Sequence, residues 1–288
     1  MKELHSYTIR LAGGRLFSLD SPQVMGILNV TPDSFYAGSR QQSEEEIGKR
    51  VRQIANEGAS MLDIGAYSSR PGADDVPIEE EMARLRRGLT IVKREAPDLV
   101  VSVDTFRADV ARMCIEEFGI DIINDISGGL LDRNMFRTVA KTGVPYILMH
   151  MQGTPQTMQQ APHYEDFLKE VFLYLAEKVA RLHDLGVKDI IIDPGFGFGK
   201  DPIDGNYALM NVMEQLHVLE LPILVGISRK RMIHQLLGIT AQESLNGTTA
   251  LNMIALMKGA SILRVHDVKE AVETVRIYGR LAAAARTE

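Results

Sequence analysis

Eight short apolar runs recur along this chain, at 24–29, 61–63, 100–104, 122–124, 146–150, 190–193, 223–226 and 262–264. Nearly every one ends at a residue suited to hydrogen bonding, charge or metal work: Asn29, Asp63, Asp104, Asn124, His150, Asp193, Ser228 just past the seventh run, and Arg264. Runs so short, bounded by glycines and separated by mostly helix-patterned sequence, read as buried parallel strands joined by helical crossovers. Eight such units predict an α/β fold, a single (β/α)8 TIM barrel. In that architecture the carboxyl ends of the strands share one rim, so residues distant in sequence converge there on one substrate.

Composition fits this reading. A barrel of about 250 residues is one domain, and the 288 residues divide into a hairpin over 1–20 and a barrel over 21–288, one domain in all. With 45% hydrophobic and 24% charged residues the chain is an ordinary globular protein, neither disordered nor fibrous. The single Cys114 lies in an apolar-patterned stretch and can make no internal disulfide, which fits a buried filler in a reducing, cytoplasmic protein. No segment approaches the ~18 consecutive apolar residues of a membrane span, and the opening residues lack a signal peptide's apolar core. We therefore expect a soluble, unprocessed protein with no membrane partner. A net charge of −6 argues against a nucleic-acid partner, although a local arginine cluster can still meet an anionic ligand.

Residues 7–11 and 15–19 flank Gly13-Gly14 and predict a hairpin that plugs the amino-terminal mouth of the barrel. Helix starts are signalled by Ser43 with Glu46, Thr240 with Glu243, Asp267 with Glu270, and Pro77 ahead of Glu79, Glu80 and Glu81. The longest gap between strands holds a Pro- and Gln-rich loop at 153–162, on the rim side, and then an amphipathic helix over about 164–185.

Asp104, Asn124, Asp193 and Lys230, just past the seventh strand, are expected to face inward near the top of the barrel. Two carboxylates, a carboxamide and an ammonium suit a flat heterocycle with an amino-pyrimidinone edge, because a carboxylate accepts from a ring N–H and its exocyclic amine together. The plainer alternative is that each polar end caps a helix or satisfies loop backbone. Two segments dense in Gly, Pro, Ser and Asp, at 29–35 and 65–73, read as long loops on the rim, where mobile lids are common. Arg70, Arg264 and His266 are placed to gather around an anion, and Asn29 offers a neutral oxygen for a hard cation such as magnesium. The run Ser228-Arg229-Lys230-Arg231 opens a helix whose free N–H groups suit a carboxylate. The glycine-rich 195–199 lacks a phosphate loop's following Lys-Ser/Thr, and its better use is to lay backbone and Phe198 over a planar ligand. Zinc-type ligand spacings are missing, and the seven histidines are scattered.

These residues resemble a known family, the dihydropteroate synthases among the pterin-binding barrels. The resemblance runs from about residue 24 to 268 and rests on GILNVTPDSF (26–35), SSRPGA (68–73), SVDTFR (102–107), IINDISGG (122–129), LMHMQGTP (148–155), IIDPGFGFGKD (191–201), GISRK (226–230) and RVHDV (264–268), in that order. It implies a condensation in which 4-aminobenzoate displaces diphosphate from 6-hydroxymethyl-7,8-dihydropterin diphosphate, giving 7,8-dihydropteroate. It also implies a pterin pocket of Asp104, Asn124, Asp193 and Lys230, with Met149, Phe198 and Gly226 as walls and Arg264 stacked on the ring. Diphosphate would be met by Asn29, Ser69, Arg70, Arg264 and His266, with Mg2+ on Asn29. Aminobenzoate would meet Phe35, Ser69, Pro71, Lys230 and Arg231. Asp33, Asp104, Asp193 and Lys230 are the implied catalytic set, Thr31, Asp33 and Phe35 belong to the first mobile loop, and a homodimer through outer helices and sensitivity to sulfonamides follow by the same likeness.

Departures from the family pattern fall at three places. Ala37 stands where many members have a second loop-one aspartate, Tyr67 replaces an acid in loop two, and Arg231 replaces a serine that contacts the aminobenzoate carboxylate. Two other readings share the pterin pocket: methyl transfer from a folate to a corrinoid protein, and binding without catalysis. The first would not need Arg70 and the Ser-Arg-Lys helix start, and the intact Asn29, Asp33 and SSRPGA weigh against the second.

Overall fold

A computed structural model describes residues 6–31, 40–67, 75–153 and 164–285, with backbone alone for 40–43. The chain opens with an antiparallel hairpin of β1 (Thr8–Arg10) and β2 (Leu16–Ser18), turned through Ala12–Gly14, where Gly13 and Gly14 take positive φ. Eight parallel strands follow: β3 (Gln23–Asn29), β4 (Met61–Gly65), β5 (Val100–Asp104), β6 (Ile122–Asp125), β7 (Tyr146–Met149), β8 (Ile190–Asp193), β9 (Leu224–Val225) and β10 (Ile262–Val265). Consecutive strands pair from β3 to β8, β10 pairs with both β3 and β9, and a bridge from Ile192 to Ile223 joins the two ends of the sheet. This is the (β/α)8 barrel with an amino-terminal hairpin that the eight runs predict.

The strand period of two sets the height of every side chain inside it. Met25, Met61, Val100, Ile122, Ile147, Ile191, Leu224 and Ile262, one from each strand, form a single buried apolar floor, and Ile9, Leu11 and Leu19 of the hairpin region pack into it from below. The hairpin thus closes the amino-terminal mouth, and each of those three buried side chains contributes about 1.5–3 kcal/mol. Intervening residues such as Leu62, Ile64, Val101, Val103, Ile190 and Ile192 point outward into the larger core shared with the helices. Two residues above the floor, therefore, Asp63, Asn124, Asp193 and Arg264 face the same interior, with Asp104 one step higher.

Helices α1 (Arg40–Asn56), α2 (Ile78–Glu95), α3 (Ala108–Phe118), α4 (Met135–Thr142), α5 (Phe167–Asp184), α6 (Asp204–Val212), α7 (Arg231–Leu237), α8 (Leu245–Met257) and α9 (Val268–Ala284) surround the barrel. Several start signals are used differently from expectation. Ser43 lies inside α1, whose backbone is already helical from Arg40. Thr240 and Glu243 do bond reciprocally (2.9 and 3.4 Å), but they brace a turn one step before α8. Asp267 precedes α9 without capping it, because Arg229 takes its carboxylate through two bonds of 2.9 and 2.7 Å. Pro77 opens α2 as expected, and Asp166 caps α5 at Lys169 N.

Candidate active site

Asp63 anchors the deepest part of the rim. It is 0% exposed, and its Oδ2 accepts from both Arg264 Nε (2.6 Å) and Asn124 Nδ2 (3.0 Å). Its Oδ1 is buried without a hydrogen bond among the described residues. Arg264 spans from Asp63 to Asp104, donating through Nη2 to Asp104 Oδ2 at 3.0 Å, so the guanidinium is held flat by two carboxylates. Burial drives the Asp104 carboxyl up to about 7, with Arg264 pulling it down and Asp63 and Asp125 pushing it up. Arg264 itself is held above its ordinary range: burial lowers it, but Asp63 and Asp104 outweigh that.

Asp193 ends β8 opposite this group. Its Oδ1 accepts the Gly195 N–H at 2.7 Å, and burial raises its pKa against the pull of Lys230, that N–H, Lys200 and Arg264. Lys230 reaches over Gly197, where an added Cβ would lie 3.2 Å from its Cδ, and donates to the Phe196 carbonyl. Its ammonium sits 4.5 Å from the centre of the Phe198 ring, a cation–π contact. Burial lowers Lys230 to about 8, with Asp193 and Asp104 among the charges that act on it. Asp104, Asn124, Asp193 and Lys230 are therefore gathered at one end of the barrel, as the strand ends predict.

Apolar walls complete the cleft. Ile126, Met149 and Met151 form a small buried cluster against which Phe106 and Phe198 pack. Phe106 meets Tyr67 edge to face at 5.0 Å, and Arg107 lies over both rings while bonding Glu81 (2.6 Å) and Asp75 (3.3 Å). The tyrosine that departs from the family's acid is thus part of a cation–aromatic stack beside the cleft. Gly226 backs Arg264, whose Cβ is 3.8 Å from where a glycine Cβ would stand.

Ser228 and His266 form the opposite side. Ser228 Oγ accepts the His266 backbone N–H (3.1 Å) and lies 3.0 Å from the ring Nδ1; where the hydroxyl donates to that nitrogen, the ring hydrogen is on Nε2. Burial, then Arg264, holds His266 down at about 4, so it is a neutral donor near pH 7. Asn29 is exposed at the end of β3, with Oδ1 close to Gly65. Arg231 is exposed at the start of α7, directly after Lys230. Asp33, Phe35, Ala37, Ser69, Arg70 and Pro71 lie outside the described residues, as does most of the 153–162 loop.

Three residues of this region carry no role in the sequence reading. Asp63 shares the inward phase of Met61, which marks it, but its partner Arg264 is 201 residues away. Phe106 lies two residues past the end of β5, within SVDTFR. Lys200 closes the glycine loop and is 2% exposed, against the general rule that lysines stay on the surface.

A (β/α)8 barrel whose carboxyl-end rim sets buried carboxylates, a carboxamide and two cations against aromatic and methionine walls is an enzyme framework for a flat, nitrogen-rich ligand. The family model described as pterin binding enzyme matches residues 25–266. The dihydropteroate synthase of Escherichia coli (strain K12) is 44% identical over 270 residues, covering 92% of this chain and 94% of that protein. The structure of the Yersinia pestis dihydropteroate synthase with a sulfonamide drug complex matches with a TM-score of 0.87 at 39% identity, covering 96% of this chain and 100% of the other. That of the Xanthomonas albilineans enzyme in complex with 7,8-dihydropteroate matches with a TM-score of 0.84 at 36% identity, covering 96% and 99%. The chain belongs to the pterin-binding enzymes, in the dihydropteroate synthase family.

Proposed function

We propose that this protein is a transferase of folate synthesis that joins 6-hydroxymethyl-7,8-dihydropterin diphosphate to 4-aminobenzoate, releasing diphosphate and 7,8-dihydropteroate. The observation that carries the reading is the polar layer of Asp104, Asn124, Asp193 and Lys230 beneath the Met149 and Phe198 walls, a shape and donor set suited to the edge and faces of a pterin. The carbon–oxygen bond to diphosphate breaks, a bond forms from the exocyclic CH2 to the aminobenzoate nitrogen, and the nitrogen sheds a proton. A dihydropterin ring spreads positive charge from that CH2, so departure of diphosphate can precede attack by the weak aromatic amine. Asp104 and Asp193, with Asp33 of the first loop, stabilise the cation, and no strong base is required. Lys230 donates to the ring and to the aminobenzoate side, where Phe35, Ser69, Pro71 and Arg231 belong.

Arg264 is already committed to Asp63 and Asp104, so it serves the ring mainly as a flat stacking surface. His266 meets diphosphate as a neutral Nε2–H donor, with Asn29, Ser69 and Arg70 completing that side. Magnesium needs only one or two protein oxygens beside water and phosphate, and the exposed neutral oxygen of Asn29 fits that demand. When bound, the ion offsets the charge of the leaving diphosphate.

We also place the enzyme in the cytoplasm, in line with its buried thiol Cys114, which burial pushes up to about 12. No helix among the described residues is long and apolar enough to cross a membrane. A homodimer is supported by the outer face of α7, α8 and α9, which exposes Leu236, Leu237, Ile254, Met257, Ile277 and Leu281.

The test is turnover with magnesium and both substrates: one diphosphate released per dihydropteroate is expected, with sulfonamides competing against aminobenzoate. Diphosphate release without coupled product would make the protein a hydrolase, and pterin binding without either would make it a binder.

A further inference from the structure

Lys200 has no part in the chemistry above, yet it lies beneath the loop that carries much of it. Its ammonium has three protons and four acceptors within reach: the Gly195 carbonyl at 2.7 Å, the Phe198 carbonyl at 3.0 Å, His150 Nδ1 at 2.9 Å and, longest, the His150 carbonyl at 3.4 Å. His150 is neutral, since burial and then Lys200 hold it down to about 2, and its ring proton is therefore on Nε2. The same two segments are pressed together where Gly195 (φ +73°) faces the His150 carbonyl, 1.9 Å from where a Cβ would lie. Lys200 thus ties the loop after β8 to the segment after β7.

What the tie holds is specific. The Phe196 carbonyl, which receives Lys230, and the Phe198 ring, which lies against that ammonium, both belong to the loop Lys200 fastens. Asp193 at the loop's start is faced by Lys230, Lys200 and Arg264 and by the Gly195 N–H. Lys200 in turn is faced by Asp193, Lys230 and neutral His150. A charged amine is costly to bury unless its partners repay the lost water, and burial does bring Lys200 down to about 7 against the upward pull of Asp193. A fastening that served packing alone would not need a cation here.

Building on the function proposed above, we propose that Lys200 is a positioning residue: it fixes the Gly195–Phe198 wall of the pterin pocket and, bonded to the same Gly195 whose N–H meets Asp193, sets its positive charge beside the carboxylate that receives the pterin edge. The test uses full-length Lys200→Met and Lys200→Gln proteins. Binding of 6-hydroxymethylpterin is followed by calorimetry from acid to alkaline pH, with KM for both substrates and thermal melting alongside. For Lys200→Met, probe affinity falls about tenfold, the aminobenzoate KM stays within about twofold, and the acid limb of binding moves up by about one pH unit. Glutamine can still donate to both loop carbonyls, so Lys200→Gln recovers part of the affinity but keeps the displaced limb. Variants that bind like wild type with an unmoved limb overturn the inference, as does an equal loss for both substrates without a pH change. If Lys200→Met does not fold, the limb of Lys200→Gln decides alone. Wild type that fails to bind the probe refutes the proposed function and this inference with it, whereas normal wild type with unaltered variants refutes only the inference.

Discussion

Replacing Asp63 by asparagine isolates the charge at the base of the site. Asp63 Oδ2 accepts from Arg264 Nε and Asn124 Nδ2, while Oδ1 is buried without a partner among the described residues. An asparagine can keep its oxygen in the Oδ2 place and retain both bonds, with its NH2 in the pocket Oδ1 leaves. The variant then exchanges an ionic hydrogen bond for a neutral one and adds a buried donor without an acceptor, a loss of about 2 kcal/mol. Alanine removes both bonds and strands the guanidinium on Asp104 alone, a loss of about 3–5 kcal/mol. For a domain of this size about 2 kcal/mol lowers Tm by roughly 3–4 °C. The second readout has a definite sign. Asp63 is one of the charges that push Asp104 up, so without that charge the Asp104 carboxyl falls below about 7. The acid limb of pterin binding should therefore move to lower pH in Asp63→Asn. Melting and calorimetric titration across pH check both, and an unchanged limb with a Tm equal to wild type would refute the reasoning.

Asp193→Ala should abolish pterin binding measured by calorimetry, and retained affinity would remove the central residue of the pocket. Gly195→Ala should yield little folded protein, since the new Cβ would sit 1.9 Å from the His150 carbonyl oxygen, whereas Gly143→Ala, at φ +70° with open space around it, should cost only about 1 kcal/mol by melting. His266 has an ordinary pKa of 6.5 and about 4 in the fold, so the unfolded chain binds a proton that the folded one refuses between those values, and stability falls as pH drops through that window. His266→Asn lacks this penalty, and the Tm advantage of wild type over it should shrink from pH 7 to pH 4.5; a constant difference would show that His266 titrates normally.

The architecture was legible because two periods act together. Short runs of apolar residues set the number of strands, and the alternation within each run sets which residues face inward, so Asp104, Asn124 and Asp193 follow from sequence with little else. The hairpin was equally plain, from Gly13-Gly14 between two alternating segments. Pairing across the barrel was not legible. Arg264 reads as a free cation waiting for an anion, and only the closed sheet reveals that Asp63 and Asp104 already hold it. Asp267 and Ser43 look like helix caps because local sequence is all a capping pattern contains; Arg229 claims the one, and a helix that begins earlier passes over the other.

The charge balance of the pocket shows why that pairing matters. Asp63, Asp104 and Asp193 face Arg264, Lys230 and Lys200, three acids against three bases within one buried region. With all six ionised such a set is neutral overall, which lowers the cost of burying it. In the proposed reaction the ring becomes positive as diphosphate departs. In that reading the carboxylates meet the ring, while Asn29 and the neutral His266 would lie on the side of the diphosphate. The separating charges are therefore drawn in opposite directions, and the neutrality of His266 adds no further cation to Arg264, Lys230 and Lys200 around the charge that forms on the ring.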